Sequence, residues 1–548
     1  MTEQTTTIYG IDLGTTYSCI ARMNDYGQPE AITNAEGSRI TPSVVLFDSE
    51  EQIIVGQEAK NNAVNYPDRV VEMVKRQMGH SEWTYDYNGK QYTAEELSSF
   101  ILKKVVSDAE QQLGVTIKDV VITCPAYFGI NEREATAKAG EIANLNVRSI
   151  INEPTAAALS YGLHQGTDQT VLVYDLGGGT FDITMIEIRK GEVNVIATGG
   201  NHFLGGRNWD EIVVNYLSEQ WKSIGGEGGD PLDDPVTAQD LFLRAEDGKK
   251  ALSAREKTDI PITHAGERKK IQLTREKFDE LTMPLLDRTI EYTREMLEEA
   301  KKKAYTKFDQ ILLVGGSTRM PQVAARLERE FGLTPKFNDP DESVAKGAAW
   351  YGQKLAIGDA IKIVIEGWGK NAESPDVVTQ QRAEQEVADR LGMTLNSVRK
   401  ANEMKITNVT SHSFGVVATD VSSGKEIVSN IILKNTAVPA TATQQFGTME
   451  DNQENAQIRI MENSSSNQKV EPDDCDPLGE AMLSLPPGLK EMSPIEITFE
   501  LDEQGRLHGV ARELSSNRTV EVNIVTSRII SDEKLEEAKA RSMKVSVS

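Results

Sequence analysis

At 548 residues the chain is too long for a single core, so we expect roughly two to four domains. A hydrophobic content of 39% indicates globular folding, and a net charge of −25 disfavours nucleic acid as a partner of the whole surface. The three cysteines show neither disulfide nor zinc spacing, and the chain has no basic, apolar leader and no run of about 18 apolar residues. We therefore expect reduced thiols and a soluble, cytoplasmic protein.

The first predicted element is a hairpin in residues 8–21. Residues 8–11 form a predicted strand, Asp12 and Gly14 begin the turn, and the return strand starts at Tyr17. Glycine has no Cβ atom, so backbone N–H groups can close around an anion there, and a carboxylate beside them suits a hydrated metal ion. Taken alone, the pattern is equally typical of an ordinary tight turn.

Residues 171–183 repeat this pattern. A buried apolar strand ends at Asp175, three consecutive glycines and Thr180 form the turn, and a returning strand follows. Two matching copies predict two similar lobes, each of which presents a phosphate loop to a shared cleft. Because the chain has no G-x-x-x-x-G-K-[ST] motif, a P-loop enzyme is not expected.

Strands and helices alternate around the two hairpins. The predicted helices cover residues 57–62, 94–113, 132–143, 241–254, 278–303 (as a pair of helices) and 344–351, and the predicted strands cover 42–47, 120–124, 147–151, 260–263, 270–273 and 311–314. Pro154 suits the first turn of a further, alanine-rich helix. This alternation predicts a doubly wound α/β sheet with its ligand at the carboxyl ends of the strands.

Six motifs stand in the order in which one protein family keeps them. They are IDLGTTYS, CPAYF, IINEPTAAALSYGL, DLGGGTFD, LVGGSTRMP and DPDESVAKGAA. In these segments the chain resembles the 70-kilodalton heat-shock chaperones (DnaK-like), densely over residues 7–350 and more loosely over 409–525. The resemblance implies an actin-like, two-lobed ATPase domain that binds ATP or ADP with Mg²⁺ and hydrolyses ATP slowly.

The resemblance also implies which residues contact the nucleotide. They are Gly14, Thr15, Thr16, Tyr17, Gly177, Gly178, Gly179, Thr180, Gly205, Gly206, Glu246, Lys249, Lys250, Ser253, Gly315, Gly316, Ser317, Arg319 and Asp341. Among them, Glu246 and Ser253 would hydrogen-bond adenosine, while the stems of the two lysines between them cover the base. By spacing alone, these four side chains are equally typical of a solvated helix face.

Catalytic and metal-binding roles follow from the same resemblance. The implied catalytic residues are Lys75, Glu153, Asp175 and Thr180, and the implied metal-binding residues are Asp12, Asp175 and Asp182. Lys75, Glu153 and Thr180 would orient the attacking water, while Mg²⁺ would span the β- and γ-phosphates. Asp182 and Asp12 would bind a monovalent cation such as K⁺. From the residues alone, Lys75 is typical of a surface charge and Glu153 of a helix cap.

Two residues beside the second phosphate loop depart from the family pattern. Arg207 and Asn208 stand where the family usually has acidic residues. The change removes negative charge near the cleft, so we expect it to affect nucleotide exchange more than the chemistry.

A larger departure is the segment 355–405, which replaces a short apolar linker of leucines and an aspartate. A polar, loop-like stretch at 367–375 precedes a predicted helix at 377–391, and Thr394 caps a second helix. Gly392 between them suits the position after a helix end.

The function of this insert has two interpretations. The stretch QEVADRLGMTLNSVRKAN resembles a helix-turn-helix, and Arg390, Arg399 and Lys400 give it local basic charge. The alternative is a plain helical hairpin that packs on a neighbouring domain or a partner. Because the whole chain is acidic, we favour the hairpin and expect no salt-sensitive binding of duplex DNA.

The last third predicts a β-sandwich. Short strands are expected at 414–418, 427–433, 443–447, 456–461, 495–500, 507–511 and 519–524, with turn signals between them. The module resembles the family's peptide-binding domain, in which an extended apolar peptide lies across strands and loops. The resemblance places Val416, Phe446, Ala456 and Ile458 around the peptide pocket. Alternating apolar residues on strands are also typical of a plain core, and a residue as small as Ala456 would enlarge the pocket.

After this module the sequence resembles only the start of the family's helical lid. A helix is expected over 531–543, and too few residues follow for a lid bundle. The expected domains are 1–354 (ATPase), 355–405 (insert), 406–530 (β-sandwich) and 531–548 (truncated lid). Without a lid or an apolar linker, we expect fast peptide release and an ATP-to-ADP affinity ratio below about tenfold.

Two classes of function are consistent with these features. The first is an ATP-hydrolysing chaperone for unfolded, extended apolar peptides, served by a J-domain cochaperone and a nucleotide-exchange factor. The second is an ATP-regulated scaffold that binds one dedicated partner through the insert and β-module. A sugar kinase of the same superfold is disfavoured by the β-module.

Overall fold

The computed structural model describes residues 7–162, 168–189, 191–503, 505–522 and 532–548. Residues 7–152 form lobe I. Its strands are β1 (Tyr9–Asp12), β2 (Tyr17–Met23), β3 (Pro29–Ala31), β4 (Thr41–Pro42), β5 (Val45–Phe47), β6 (Gln52–Val55), β7 (Val70–Val71), β8 (Tyr85–Tyr87), β9 (Lys90–Tyr92), β10 (Asp119–Cys124) and β11 (Asn146–Asn152). Its helices are α1 (Gln57–Asn62), α2 (Ala94–Leu113) and α3 (Ile130–Ile142).

The main sheet of lobe I has the strand order β11-β10-β1-β2-β3. Strand β1 pairs in parallel with β10 and forms an antiparallel hairpin with β2, as the sequence predicts for the first phosphate loop. Helix α2 has the predicted bounds because local signals fix both ends. Thr93 and Glu96 form a capping box, and Gly114 adopts the left-handed conformation after the last turn.

Lobe II follows directly and repeats the arrangement. Its strands are β12 (Gln169–Leu176), β13 (Phe181–Arg189), β14 (Glu192–Asn201), β15 (Lys257–His264), β16 (Glu267–Thr274), β17 (Gln310–Val314) and β18 (Lys336–Phe337). Its helices are α4 (Glu153–Gly162), α5 (Gly206–Ser223), α6 (Pro235–Ala254), α7 (Arg275–Lys302), α8 (Pro321–Phe331) and α9 (Ser343–Gly367). The predicted second hairpin is confirmed as β12 and β13, in which Asp175 lies opposite Asp182.

Two helices of lobe II differ from the prediction. The predicted helix pair at 278–303 is wrong, because α7 runs unbroken through Pro284. Helix α9 is also longer than expected and continues to Gly367, so the predicted boundary between residues 354 and 355 falls inside a helix. The second half of α9 is buried on one side, which explains why it does not fray into a loop.

The insert forms a helical hairpin on the end of α9. Its helices α10 (Val377–Leu391) and α11 (Leu395–Glu403) begin at the side-chain caps Asp376 and Thr394. Gly392 takes the left-handed conformation between them, as predicted. Buried residues of both helices and of α9 share one small core, so the hairpin packs on the ATPase domain in the way that we favoured.

The β-module occupies residues 406–522. Its strands are β19 (Ile406–Val409), β20 (Ser413–Thr419), β21 (Glu426–Ile432), β22 (Ala437–Val438), β23 (Ala440–Gly447), β24 (Asn455–Asn463), β25 (Lys469–Val470), β26 (Asp476–Ser484), β27 (Pro494–Leu501), β28 (Leu507–Glu513) and β29 (Thr519–Val522). Two sheets, with the orders β25-β21-β20-β24-β26 and β23-β27-β28-β29, enclose one apolar core. The sequence missed β26, and the predicted residues 523–524 lie outside the described residues.

Strand β19 joins the β-module to lobe II. It pairs in parallel with β14, so that Val193 lies opposite Ile406 and the β-module extends the sheet of lobe II. Met404 and Val409 are buried in the same core as Val193. Met404 and Val409 therefore attach the β-module to lobe II, and the weak coupling expected without a leucine-rich linker stays a prediction.

The C-terminal residues return to lobe I. Helix α12 (Asp532–Ser542) packs on α2 and α3, and β30 (Ser546–Val547) adds a parallel strand to β6. The Arg541 guanidinium donates two hydrogen bonds to Glu96 Oε1, at 3.0 and 2.7 Å. Across the described ranges, no helix is both long and apolar enough to cross a membrane.

Candidate functional site

A cavity with a volume of about 380 Å³ lies between the two lobes. Both predicted phosphate loops line it, the first from the β1–β2 turn and the second from the β12–β13 turn. Because each turn follows a strand at the centre of its sheet, the carboxyl ends of both sheets meet at this cavity.

The two phosphate loops pack against each other. A Cβ atom on Gly178 would lie 2.3 Å from the Thr16 side chain, and one on Gly179 would lie 2.3 Å from that of Thr15. Only glycine allows this approach, which leaves the backbone of each loop beside the hydroxyl groups of the other. The loops therefore form one surface of N–H and O–H donors, a chemistry that suits phosphate.

Carboxylates gather at the base of the cavity. Burial and then the Glu153 carboxylate raise the pKa of Asp12 to about 7, while Thr123 Oγ1 donates a hydrogen bond to Asp12 at 3.2 Å. Burial and Glu153 also raise the pKa of Asp175 well above its usual value. Such a cluster favours a cation, because a cation would stabilise the ionised carboxylates that burial disfavours.

Lys75 supplies the chain's own positive charge at this point. Its Nζ lies 2.5 Å from Glu153 Oε1, and both side chains are buried. Burial opposes the charged form, but the carboxylates of Glu153 and Asp12 outweigh it and raise the pKa of Lys75. A buried ammonium beside a phosphate loop is not a solvated surface charge, so the interpretation of Lys75 as a surface residue is wrong.

The carboxylates suit a hydrated metal ion rather than a directly bound one. Within the described ranges, no three His, Cys, Asp or Glu side chains are grouped closely enough to hold a metal. Mg²⁺ usually keeps several of its waters, so Asp12 and Asp175 could bind it through them. Asp182 does not line the cavity; burial raises its pKa to about 8, and its Oδ1 accepts no hydrogen bond. This orphaned oxygen fits the predicted monovalent cation.

The opposite end of the cavity carries a cross-lobe ion-pair network. Glu246 on α6 contacts Lys60 Nζ at 2.5 Å and Lys250 Nζ at 2.7 Å, and it accepts a hydrogen bond from Tyr17 Oη at 3.2 Å. Burial raises the pKa of Glu246, but the two lysines outweigh it and lower this pKa to about 2. Lys249 points elsewhere, since its buried ammonium binds Asp210 at 2.7 Å.

The structure brings most of the predicted nucleotide residues together. Those that line the cavity are Asp12, Gly14, Thr15, Thr16, Tyr17, Lys75, Glu153, Asp175, Gly177, Gly178, Thr180, Glu246, Lys249, Lys250, Ser253, Gly315, Gly316, Ser317, Arg319 and Asp341. Gly179, Gly205 and Gly206 lie behind the second loop, where Cβ atoms would meet Thr15, the loop backbone and Ser317. They shape the site without facing it.

Sequence reasoning missed several residues at the cleft. Lys60 had no signal beyond its position on a short helix, yet it pairs with Glu246 across the lobes. Arg76 follows Lys75 directly and donates two hydrogen bonds to Gly179 O, at 3.0 and 2.6 Å. Glu72, from the same segment, also lines the cavity. Their roles depend on contacts between lobes, which no local pattern encodes.

The residues predicted for a peptide pocket lie mostly inside the β-module. Val416, Ala456 and Ile458 are buried in its apolar core, and Phe446 is half-buried at the edge of that core. Two exposed methionines lie close by. Met449 follows β23 and its Sδ lies 3.8 Å from Thr419 Oγ1, while Met492 lies beside Gly447.

Comparison with known proteins gives a consistent result. A family model described as "Hsp70 protein" matches residues 8–365 and 388–547, and it leaves out residues 366–387 in the middle of the insert. "Chaperone protein DnaK" of Halobacterium salinarum is 37% identical over 542 residues, which are 97% of this chain and 77% of that protein. The protein of the same name from Thermotoga neapolitana is 37% identical over 540 residues, 96% of this chain and 82% of that one.

Proposed function

Since the chain belongs to the Hsp70 family, and is an ATP-dependent chaperone that hydrolyses ATP, we propose that the cavity between the lobes is its nucleotide site. The observation that carries this proposal is the pair of matching loops, which face each other beside the buried Lys75–Glu153 ion pair. The family match does not favour the alternative of a scaffold with one dedicated partner.

The two loops would hold the phosphates. Backbone N–H groups of Gly177 and Gly178 and the hydroxyls of Thr15, Thr16 and Thr180 would donate to the β- and γ-phosphate oxygens. Mg²⁺, when bound, would neutralise charge on these oxygens. Asp12 and Asp175 would fix its hydration shell, and Asp182 would hold K⁺ beside it.

Water attack would depend on positioning by three side chains. Lys75 Nζ can donate a hydrogen bond to an attacking water while it stays bound to Glu153. The ion pair would thus orient the water so that its second, free lone pair faces the γ-phosphate. The Thr180 hydroxyl, on the facing loop, would donate to the same water or to the phosphate. Because all three groups are held by packing, little reorganisation is needed at the moment of reaction.

The adenosine would lie between α6 and the turn after β17. Ser253 and the ionised Glu246 offer hydrogen bonds to ribose and base, and the Lys250 stem can cover the base. Arg319 lies on the other side and would stack on the ring, with Asp341 2.6 Å away to hold its guanidinium in place. Lys249 contributes only its stem, since Asp210 and Gly206 bind its ammonium.

For the chaperone activity we propose that extended apolar peptides bind the β-module near the ends of β20 and β23. Met449 and Met492 expose flexible, polarizable side chains there, a chemistry that adapts to varied partners. Val416, Ala456 and Ile458, which the resemblance assigns to the pocket, would support it from the core of the module. A J-domain cochaperone and a nucleotide-exchange factor would act on the same cycle.

Replacement of Lys75 tests the catalytic assignment. We expect Lys75→Ala to lower single-turnover ATP hydrolysis at least about a hundredfold and to change ADP affinity much less, since the loops and Glu246 remain. Lys90→Ala is the matched control, because Lys90 is an exposed lysine of the same lobe paired with Glu50. Equal hydrolysis by wild type and Lys75→Ala would show that the assignment is wrong.

A further inference from the structure

Two oppositely charged side chains face each other across the mouth of the nucleotide cavity. Arg207 lies in the first turn of α5 in lobe II, and Glu72 lies three residues before Lys75 in lobe I. Their Nη1 and Oε2 atoms are 3.6 Å apart, both line the cavity, and both side chains are about one-fifth to one-quarter exposed (20% and 24%). The contact therefore connects the two lobes at the edge of solvent.

The position of Arg207 is unusual in electrostatic terms. A positive side chain in the first turn of a helix opposes the helix dipole, so the helix alone does not favour it there. Its guanidinium is instead held by two partners, the Phe242 ring, whose centroid is 3.8 Å away, and the Glu72 carboxylate. Its backbone N–H donates to Gly178 O at 2.8 Å, which attaches this residue to the second phosphate loop.

A second contact runs in parallel beside the first. Arg76, four residues after Glu72, donates to Gly179 O and, at 3.3 Å, to Asn208 Oδ1. The segment 72–76 of lobe I thus contacts both the phosphate loop and the start of α5. Any separation of the lobes that lets a bound nucleotide leave must break these contacts.

We propose that Glu72 and Arg207 form a latch across the cleft that slows release of ADP. The inference rests on the proposed placement of the nucleotide in this cavity. Arg207 acts as a positioning residue, since the carboxylate of Glu72 holds it on the opposite lobe rather than on the ligand. The latch sets how long the lobes stay closed after hydrolysis, and with it the lifetime of the ADP state.

Charge reversal on each side, singly and together, tests the latch. Release of a fluorescent N-methylanthraniloyl ADP from the full chain with Mg²⁺ would be followed by stopped flow with an excess of unlabelled ATP. We expect Arg207→Glu and Glu72→Arg each to speed release about fivefold or more, because each change replaces an attraction with a repulsion. The attraction of an exposed ion pair alone changes an equilibrium by up to about fivefold. The double variant should return to within about twofold of wild type.

An ion pair within lobe I serves as the control. Arg22→Glu breaks a more exposed ion pair that lies within lobe I, with Glu30, and should leave release unchanged. Faster release in Arg207→Glu that Glu72→Arg does not rescue would overturn the latch and indicate that Arg207 contacts the nucleotide itself. Normal release in both single variants would also overturn it, whereas failure of the wild type to bind labelled ADP would overturn the proposed nucleotide site.

Discussion

Two carboxyl groups from different domains are buried together where the β-module meets lobe I. Glu132 on α3 and Glu462 on β24 both approach Gly129, where a Cβ atom would lie 2.9 Å from Glu132 Oε2 and 2.8 Å from Glu462 Oε1. Glu462 is 5% exposed, its Oε1 accepts no hydrogen bond, and Asp476 lies opposite it on β26. When Glu462 is ionised, the interface therefore contains a charge repulsion that docking of the domains must overcome.

Replacement of Glu462 by glutamine should strengthen this docking. The amide has the same shape, keeps an oxygen for the N–H of Ile130, and can donate to the Glu132 carboxylate. A hydrogen bond to a charged group contributes about 1.5–3 kcal/mol, so we expect Glu462→Gln to favour the docked arrangement by about 2 kcal/mol, or about thirtyfold.

The pH dependence of docking follows from the directions in which the pKa values of Glu462 and His412 shift. Burial, and next Glu132, raise the pKa of Glu462 well above its usual value, so the docked form binds a proton more tightly and docking weakens as pH rises from about 4.5 toward the docked pKa. Burial lowers the pKa of His412, 3.5 Å from Glu462, to about 3, so docking also weakens as pH falls below about 6.5. Above about pH 6.5 the contribution of His412 is constant, so Glu462 governs the change of docking with pH.

Hydrogen–deuterium exchange measures the docking directly. Amides of β19 and of the first turn of α3 are protected only while the domains touch, so Glu462→Gln should slow their exchange and reduce its dependence on pH above 6.5. Glu480→Gln is the control, since Glu480 is an exposed carboxylate on a neighbouring strand of the same sheet. Unchanged or faster exchange in Glu462→Gln would refute the reasoning.

Two further substitutions test other contacts. Gly178→Ala should weaken ADP binding by about 2 kcal/mol, because its Cβ would meet Thr16 at 2.3 Å and force the loops apart; calorimetric titration measures this, and wild-type affinity would contradict the proposed packing role. Arg541→Ala should weaken the packing of α12 on lobe I by about 3 kcal/mol, because Glu96, whose side chain is 2% exposed, loses its cation. Loss of exchange protection confined to residues 532–548 is the expected result, and full protection would refute it.

The sequence predicted best where local chemistry decides the structure. The hairpins around Asp12 and Asp175 are set by strand pattern and consecutive glycines, and the helix pair around Gly392 by side-chain caps and a left-handed turn. The family resemblance extended this to a set of predicted nucleotide-binding residues, most of which line one cavity.

The sequence predicted least where distant segments meet. Nothing near Lys60, Glu72 or Arg207 indicates that their partners lie in the other lobe, and the strand β19 resembled the start of a domain rather than a joining segment. Helix α9 was predicted too short, because its second half is stabilised by the insert that follows it. Long-range packing decided each of these cases.

The return of β30 to lobe I has a consequence for synthesis of the chain on the ribosome. Its partner, β6, is made near the start of translation, whereas residues 546–547 emerge only after the β-module and α12. Until then the β6 edge is unpaired, and an unpaired edge is open to strands from other nascent chains. Lobe I therefore completes its sheet late, and newly made protein should depend more on the cell's folding assistance than its individual domains suggest.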